Sequence, residues 1–217
     1  MNFMYRNDDF AFNVPIDYLT EVHNWFIKAK VNHTIAMQGI TENRTLIDYI
    51  KSTPYWDIQI HCWQHDPYRD MDKVNIYTNL KTMVDFGEKE LGQRPTTIFP
   101  PWGRTGSGPL LVEAADKLGL KVDPDCAYIE FYLGAIANGE EYFKTAVAET
   151  NHNIPYSEWR RVYFHLNNAK EMALVPALID VTQEIARGEA DHIDFEKKKE
   201  SIERVKFVIE KLRRHEL

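Results

Sequence analysis

Cysteine is nearly missing from this chain: among 217 residues there are two, Cys62 and Cys126. Two thiols cannot build the disulfide framework of a small secreted scaffold, and their scarcity fits a reducing compartment. Long apolar runs are missing too. No stretch of 18 or more apolar residues exists, and the first residues show no basic segment leading into an apolar one. Neither a membrane span nor a secretory leader is therefore visible, and the expectation is a cytoplasmic protein. Basic excess is also lacking, since 26 Lys and Arg face 33 Asp and Glu for a formal charge of −7, with a pI near 5.6. Such a chain has no surplus cation to neutralise a phosphate backbone, which argues against nucleic acid as a partner. The basic residues near the C-terminus (Lys197 to Lys199, Lys211, Arg213, Arg214) alternate with Glu196, Glu200, Glu203 and Glu210, the pattern of a solvated helix face. Internal repeats, low-complexity tracts and interdomain linkers are absent, so a single domain over residues 1–217 is expected; nothing in the pattern specifies an oligomeric state.

What is present suits a sizeable core: 44% of residues are hydrophobic and 12% aromatic. Short β-like stretches recur at about Phe3–Arg6, Thr34–Met37, Ile58–His61, Thr97–Phe99, Leu120–Val122 and Val162–His165. Helical periodicity fills Val74–Leu91 and Pro109–Leu118. Strand and helix in alternation predict an α/β fold with a parallel sheet or barrel, whose chemistry collects where strands end. The segment Phe195–Arg213 places Ile202, Val205, Val208, Ile209 and Leu212 at helical spacing and predicts a closing amphipathic helix. Turn chemistry is densest in "FPPWGRTGSGP", residues 99–109, where adjacent prolines stiffen the backbone and three glycines permit tight geometry.

Three clusters carry chemistry. "RNDD", residues 6–9, sets two carboxylates after a short apolar run, either to end a strand in a solvated turn or to hold a cation. Successive strand residues point to opposite faces, so Asp8 and Asp9 address one site only if the strand breaks up there. "IHCWQHD", residues 60–66, spaces His61 and His65 four apart. On a helix they share a face, and in a loop after a strand they converge; with a carboxylate from Asp8 or Asp9 they suit zinc or another first-row divalent ion. The plainer alternative is a strand-capping His61 and a solvated His65. "VYFHLNN", residues 162–168, puts His165 where an apolar strand ends, the place of a catalytic histidine or of a core histidine satisfied by a carbonyl. Trp63, Trp102 and Trp159 are either sugar-stacking surfaces or core.

Taken in order, "RNDD", "HCWQH", "FPPWG" and "YFH" resemble the T-F-D-D, H-S/T-x-x-H, R-x-P-aromatic-G and L-x-H motifs of the NodB-homology polysaccharide deacetylases, carbohydrate esterase family 4. The resemblance runs from Asp8 to His165 and implies a distorted (β/α) barrel that hydrolyses an N- or O-acetyl group from a carbohydrate. It implies Asp8 as catalytic base, Asp9, His61 and His65 as ligands to one divalent ion (zinc foremost, with cobalt, nickel or manganese as alternatives), His165 as general acid, and the Trp102 backbone N–H at the developing oxyanion. Without a wall-binding module, the expected substrate is an activated or lipid-linked sugar of surface-polysaccharide or lipopolysaccharide assembly.

The departures are specific. Phe99 stands where the family places an arginine that pairs with the catalytic aspartate, leaving Arg6 or Arg104 as substitutes. Cys62 replaces Ser or Thr, either as an added ligand or as an inert buried thiol. The family's D-x-x-D-W segment is barely represented by "VDPDCAY", in which Asp123 and Asp125 have at most an outer supporting role. Two further readings follow: a deacetylase-like protein that binds sugar or metal without turnover, and metal-assisted hydrolysis of a small non-sugar amide or ester.

Overall fold

A computed structural model describes residues 2–102, 106–122, 129–132, 159–176, 178–179 and 183. They fall into two compact units, one of residues 1–6 and 127–217, the other of residues 7–126.

In the unit of residues 7–126, strands and helices alternate: β1 (Asn2–Ala11, entering from the other unit), α1 (Ile16–Ala29), β2 (His33–Gln38), α2 (Arg44–Ser52), β3 (Trp56–Cys62), a 3-10 turn at Tyr68–Asp70, α3 (Lys73–Lys89), β4 (Thr97–Ile98), α4 (Pro109–Leu118) and β5 (Lys121–Val122). The strand order is β5-β4-β3-β2-β1. The β2–β3, β3–β4 and β4–β5 pairs are all parallel, with His33 opposite Trp56, Ile60 opposite Ile98, and Ile98 opposite Val122. β2 and β3 are buried over almost their whole length, as strands covered on both faces must be.

Each helix is set by local sequence. α1 buries Leu19, Val22, His23 and Phe26, an i, i+3, i+4, i+7 stripe, and stops at Lys30, whose left-handed backbone donates to the Ile27 and Phe26 carbonyls. Asn43 caps α2 by accepting from Leu46 N, and Asp72 caps α3 by accepting from Val74 N and Asn75 N. α4 opens on Pro109 and closes on Gly119. Burying side chains such as Leu19, Phe26, Ile35, Ile60 and Leu80 contributes about 1.5–3 kcal/mol each. The two-residue β4 has extra support: Gln59 Oε1 accepts from Thr96 N at 3.0 Å and Thr97 N at 2.8 Å. Gln59 Nε2 donates to Asp57, whose other oxygen accepts from Thr34.

In the unit of residues 1–6 and 127–217, β6 (Ile129–Tyr132) runs parallel to β7 (Trp159–His165), in the order β1-β7-β6, and a short helix Ala169–Met172 follows β7. No described helix is long and apolar enough to cross a membrane. The expected parallel α/β architecture is observed, and the described strands of each unit form an open row. The expected closing helix at 195–213 lies outside the described residues, as do Arg104, Asp123, Asp125 and Cys126.

One boundary differs from expectation. β1 does not end at the paired acids; it continues to Ala11, because Phe10 and Phe12 are buried and pack edge to face, 5.2 Å apart, drawing the chain back into the core. The break sits inside the strand, where Asp9 takes φ 54°.

Candidate functional site

β3 and the loops beside it build one face of the site. His61 is the penultimate residue of β3 and His65 lies in the loop after it. Asp9 comes from the kink in β1. One ligand atom from each of these three side chains lies within 4.8 Å of the others. Nε2 of His61 is 2.9 Å from Asp9 Oδ1, and Nε2 of His65 is 3.0 Å from the same oxygen.

The protonation pattern tests whether a metal fits. His61 Nδ1 is 2.6 Å from the Phe99 carbonyl, which can only accept, so that nitrogen carries the hydrogen. In the neutral ring Nε2 then bears a lone pair, and this lone pair faces a carboxylate oxygen. The buried Nε2 makes no hydrogen bond, so its short approach to Asp9 lacks a hydrogen bond's direction. Two acceptors at 2.9 Å repel unless a cation lies between them. A tetrahedral zinc ion about 2.0–2.1 Å from each ligand would hold ligand atoms roughly 3.4 Å apart, so the two nitrogens, at 2.9 and 3.0 Å from Asp9 Oδ1, need only a small outward shift to admit it. The residues present fit the ion, and the Nδ1–H···O=C bond is the support that fixes a metal-binding histidine's tautomer.

Surrounding groups hold this arrangement in place. Tyr68, fully buried, donates from its hydroxyl to the His61 carbonyl at 3.1 Å. Phe99 N donates to Ile60 O at 2.8 Å, which registers the Phe99 carbonyl opposite the imidazole. Cys62 Sγ accepts from His65 N at 3.0 Å. Burial pushes the Cys62 thiol up to about 12, and the carboxylates of Asp9, Asp66 and Asp8 add to the effect. It is the inert buried thiol of the two alternatives, and it lies outside the ligand cluster. Asp8 is buried and near enough for its charge to act on that thiol.

Three residues here adopt the left-handed backbone that side chains disfavour: Asp9 (φ 54°), His65 (φ 60°) and Trp102 (φ 60°). Each costs on the order of 1–2 kcal/mol. The Trp102 ring is exposed and meets His65 edge-on at 5.3 Å. Its turn closes on Gly106, where a Cβ would lie 1.7 Å from the Pro101 carbonyl oxygen. Phe99, in the place expected for arginine, is buried. Of the other tryptophans, Trp63 is half-buried, while Trp159 lies in β7.

In the other unit, His165 ends β7. Its Nδ1 is 3.0 Å from Glu171 Oε2, and its backbone N–H donates to the same oxygen at 2.7 Å. Glu171 is fully buried, and its Oε1 accepts from Asn168 Nδ2 at 2.7 Å. Arg6 lies over the Tyr163 ring, 5.1 Å from its centroid, and Tyr163 meets His165 edge-on.

Sequence reasoning missed Tyr68, the Phe99 carbonyl, Gly106 and Glu171. The first two act through backbone carbonyls, Tyr68 by donating its hydroxyl to that of His61 and Phe99 by offering its own to the His61 ring, and residue type does not mark such contacts. For Glu171 a signal existed, since N-x-x-E after a strand reads as a capping box; Asn168 does cap the helix, but the glutamate turns to the histidine.

A sequence profile described as polysaccharide deacetylase matches residues 12–122, just over half the chain. That span contains His61, His65 and Trp102, and leaves Asp8, Asp9 and His165 outside it. No curated protein matches by sequence. Among solved structures, the chain is similar to a family 4 carbohydrate esterase from Streptomyces lividans solved with acetate (TM-score 0.61, 15% identity, 86% of this chain and 89% of that one). It is similar also to the polysaccharide deacetylase Bc1974 from Bacillus cereus (TM-score 0.61, 18% identity, 85% and 88%). A family 4 pseudoenzyme from Bacillus anthracis matches as well (TM-score 0.61, 15% identity, 84% of this chain and 60% of that one). At these identities the likeness shows the fold, the distorted (β/α) barrel type.

Proposed function

The chain belongs to the polysaccharide deacetylase family, and from that premise we propose that it is a divalent-metal-dependent hydrolase that removes an N- or O-acetyl group from a carbohydrate. The observation that carries the proposal is the convergence of Asp9, His61 and His65, with the His61 lone pair aimed at Asp9 by the Phe99 carbonyl. Two imidazoles and a carboxylate favour zinc, with cobalt, nickel or manganese as alternatives. When bound, such an ion supplies Lewis acidity toward an acyl oxygen.

The chain's own groups have the following roles in the proposal. Asp8 takes a proton from the attacking water, and the Trp102 backbone N–H, on the stiff Pro100-Pro101 turn, donates to the oxyanion that develops at the acyl carbon. His165 as imidazolium gives a proton to the departing amine or alcohol. An activated or lipid-linked sugar, met in a cytoplasmic setting during surface-polysaccharide or lipopolysaccharide assembly, belongs to the same proposal and rests on the acidic, cysteine-poor composition.

Phe99 favours a second reading, binding without turnover: a buried phenyl ring occupies the motif arginine's position, and one of the similar structures is a pseudoenzyme. Acetate release from a panel of N- and O-acetylated oligosaccharides and sugar nucleotides separates the two. The zinc-loaded protein should release acetate, a chelator should stop it, and Asp8→Asn should abolish it with the ion retained. Sugar binding with no acetate released would select the second reading.

A further inference from the structure

We infer that Glu171 is the positioning residue for His165: it fixes the ring's tautomer and stabilises its charged form, an inference that rests on the acid role proposed above for His165. The geometry is specific. One oxygen of Glu171 takes both the backbone N–H of His165, at 2.7 Å, and faces ring Nδ1 at 3.0 Å. The other oxygen takes the side-chain N–H of Asn168 at 2.7 Å. Asn168 is itself tied down, since its Oδ1 accepts from Lys170 N and Glu171 N and its own N–H donates to the His165 carbonyl at 3.0 Å. The segment 165–171 is thus a closed hydrogen-bonded loop whose centre is the carboxylate.

The contrast in exposure separates this from an ordinary satisfied histidine. The His165 side chain is 23% exposed, whereas Glu171 is 0% exposed. Taking a carboxylate out of water costs several kcal/mol unless donors compensate. An imidazole already reached by solvent does not need a buried acid to satisfy a nitrogen. An acid that acts through that imidazole needs both features: a carboxylate sheltered from water, and one ring edge left accessible. With Nδ1–H committed to Glu171, Nε2 is the nitrogen that exchanges a proton. In the step it serves, the Nε2–H bond of the imidazolium breaks and an N–H or O–H bond to the leaving group forms. The imidazole is left neutral, with Nδ1–H still on Glu171.

Long-range nitrogen–proton NMR of the full-length protein, with His165→Gln to assign the signals, reads the tautomer without reference to turnover. The expected result is Nδ1–H in neutral wild type; Nε2–H would overturn the proposal. Kinetics supply the second readout. Glu171→Gln keeps shape and removes charge, so kcat should fall by at least about tenfold with KM and bound metal unchanged, and the alkaline limb of the kcat profile should move to lower pH. Glu171→Asp keeps the charge and should restore that limb. A Glu171→Gln protein with unaltered kcat and limb would overturn the proposal. Wild type that releases no acetate defeats the deacetylase reading instead, and the NMR result then decides the tautomer by itself.

Discussion

His61 is gripped at each end, by the Phe99 carbonyl at Nδ1 and by the Tyr68 hydroxyl at its own carbonyl, so its free lone pair has one direction. The paired acids differ in kind: Asp9 sits in the ligand cluster while Asp8 does not. Asp9→Asn should therefore weaken metal affinity at least about tenfold, whereas Asp8→Asn should leave it within a few-fold and abolish turnover; equal metal loss in both, read by isothermal titration, would show that the roles are misassigned. Cys62 offers a sharper contrast. Its thiol is pushed up to about 12 by burial and nearby carboxylates, so it is protonated at neutral pH, and Cys62→Ala should keep full metal stoichiometry while losing about 1 kcal/mol of stability with the His65 N–H bond. The approach of His61, His65 and an acid was legible in residue type and spacing, which left Asp8 and Asp9 open; the family resemblance implied Asp9, the acid that lies beside the two rings. The carbonyl that sets the tautomer was not legible, since every residue carries the same backbone oxygen. The left-handed Asp9, His65 and Trp102 were equally hidden, because glycine, the usual marker of that conformation, occupies none of them.

At the scale of elements, the loop after β4 depends on one glycine. A Cβ at Gly106 would overlap the Pro101 carbonyl and crowd Trp102, so Gly106→Ala should displace the Pro101-Trp102 turn, lowering kcat while Asp9, His61 and His65 still hold the ion. Unchanged kcat would remove Trp102 from the oxyanion role. A second element-level feature lies at the start of β2 and β3. His23 and His33 are fully buried, with Nδ1 atoms 3.3 Å apart; Trp56 stacks on His23 at 3.5 Å and Phe26 on His33 at 4.1 Å. His23 donates from Nε2 to Pro54 O, so in the neutral ring its Nδ1 is the acceptor and His33 Nδ1–H the donor of the bond between them. Burial lowers His23 to about 4 and holds His33 well below its ordinary 6.5. The folded state refuses protons that the unfolded chain accepts, so this stability is complete above about pH 6.5 and is lost as pH falls from there toward 4. His23 alone accounts for on the order of 3 kcal/mol at pH 4. Urea denaturation at pH 7, 5.5 and 4.5 should show the decline, and His33→Phe, which keeps a ring in the stack, should flatten it; identical slopes in the two proteins would contradict the assignment. Sequence periodicity found α3 and α4 almost to the residue, but passed over α1, whose buried stripe includes His23, a residue that does not count as apolar until its stack is seen.

For the whole molecule, strand–helix alternation was enough to predict a parallel α/β architecture, and the order of four short motifs was enough to suggest the family that the profile matches over residues 12–122. Spacing could not show that Phe99, which stands in the motif arginine's place, buries its ring and turns its backbone carbonyl to His61 Nδ1. If Arg6 tunes the proposed base in its place, Arg6→Met should move the acidic limb of the pH–rate profile upward at unchanged metal affinity; its position over Tyr163 gives the competing expectation of lost packing with no movement of that limb. The account rests on a divalent-ion centre made by Asp9, His61 and His65. Its most direct test is a zinc titration of tag-free, chelator-stripped protein beside His61→Ala: the account predicts saturation at one ion per chain in wild type and loss of that site in the variant, and it is contradicted if wild type shows no saturable binding or if His61→Ala binds as tightly.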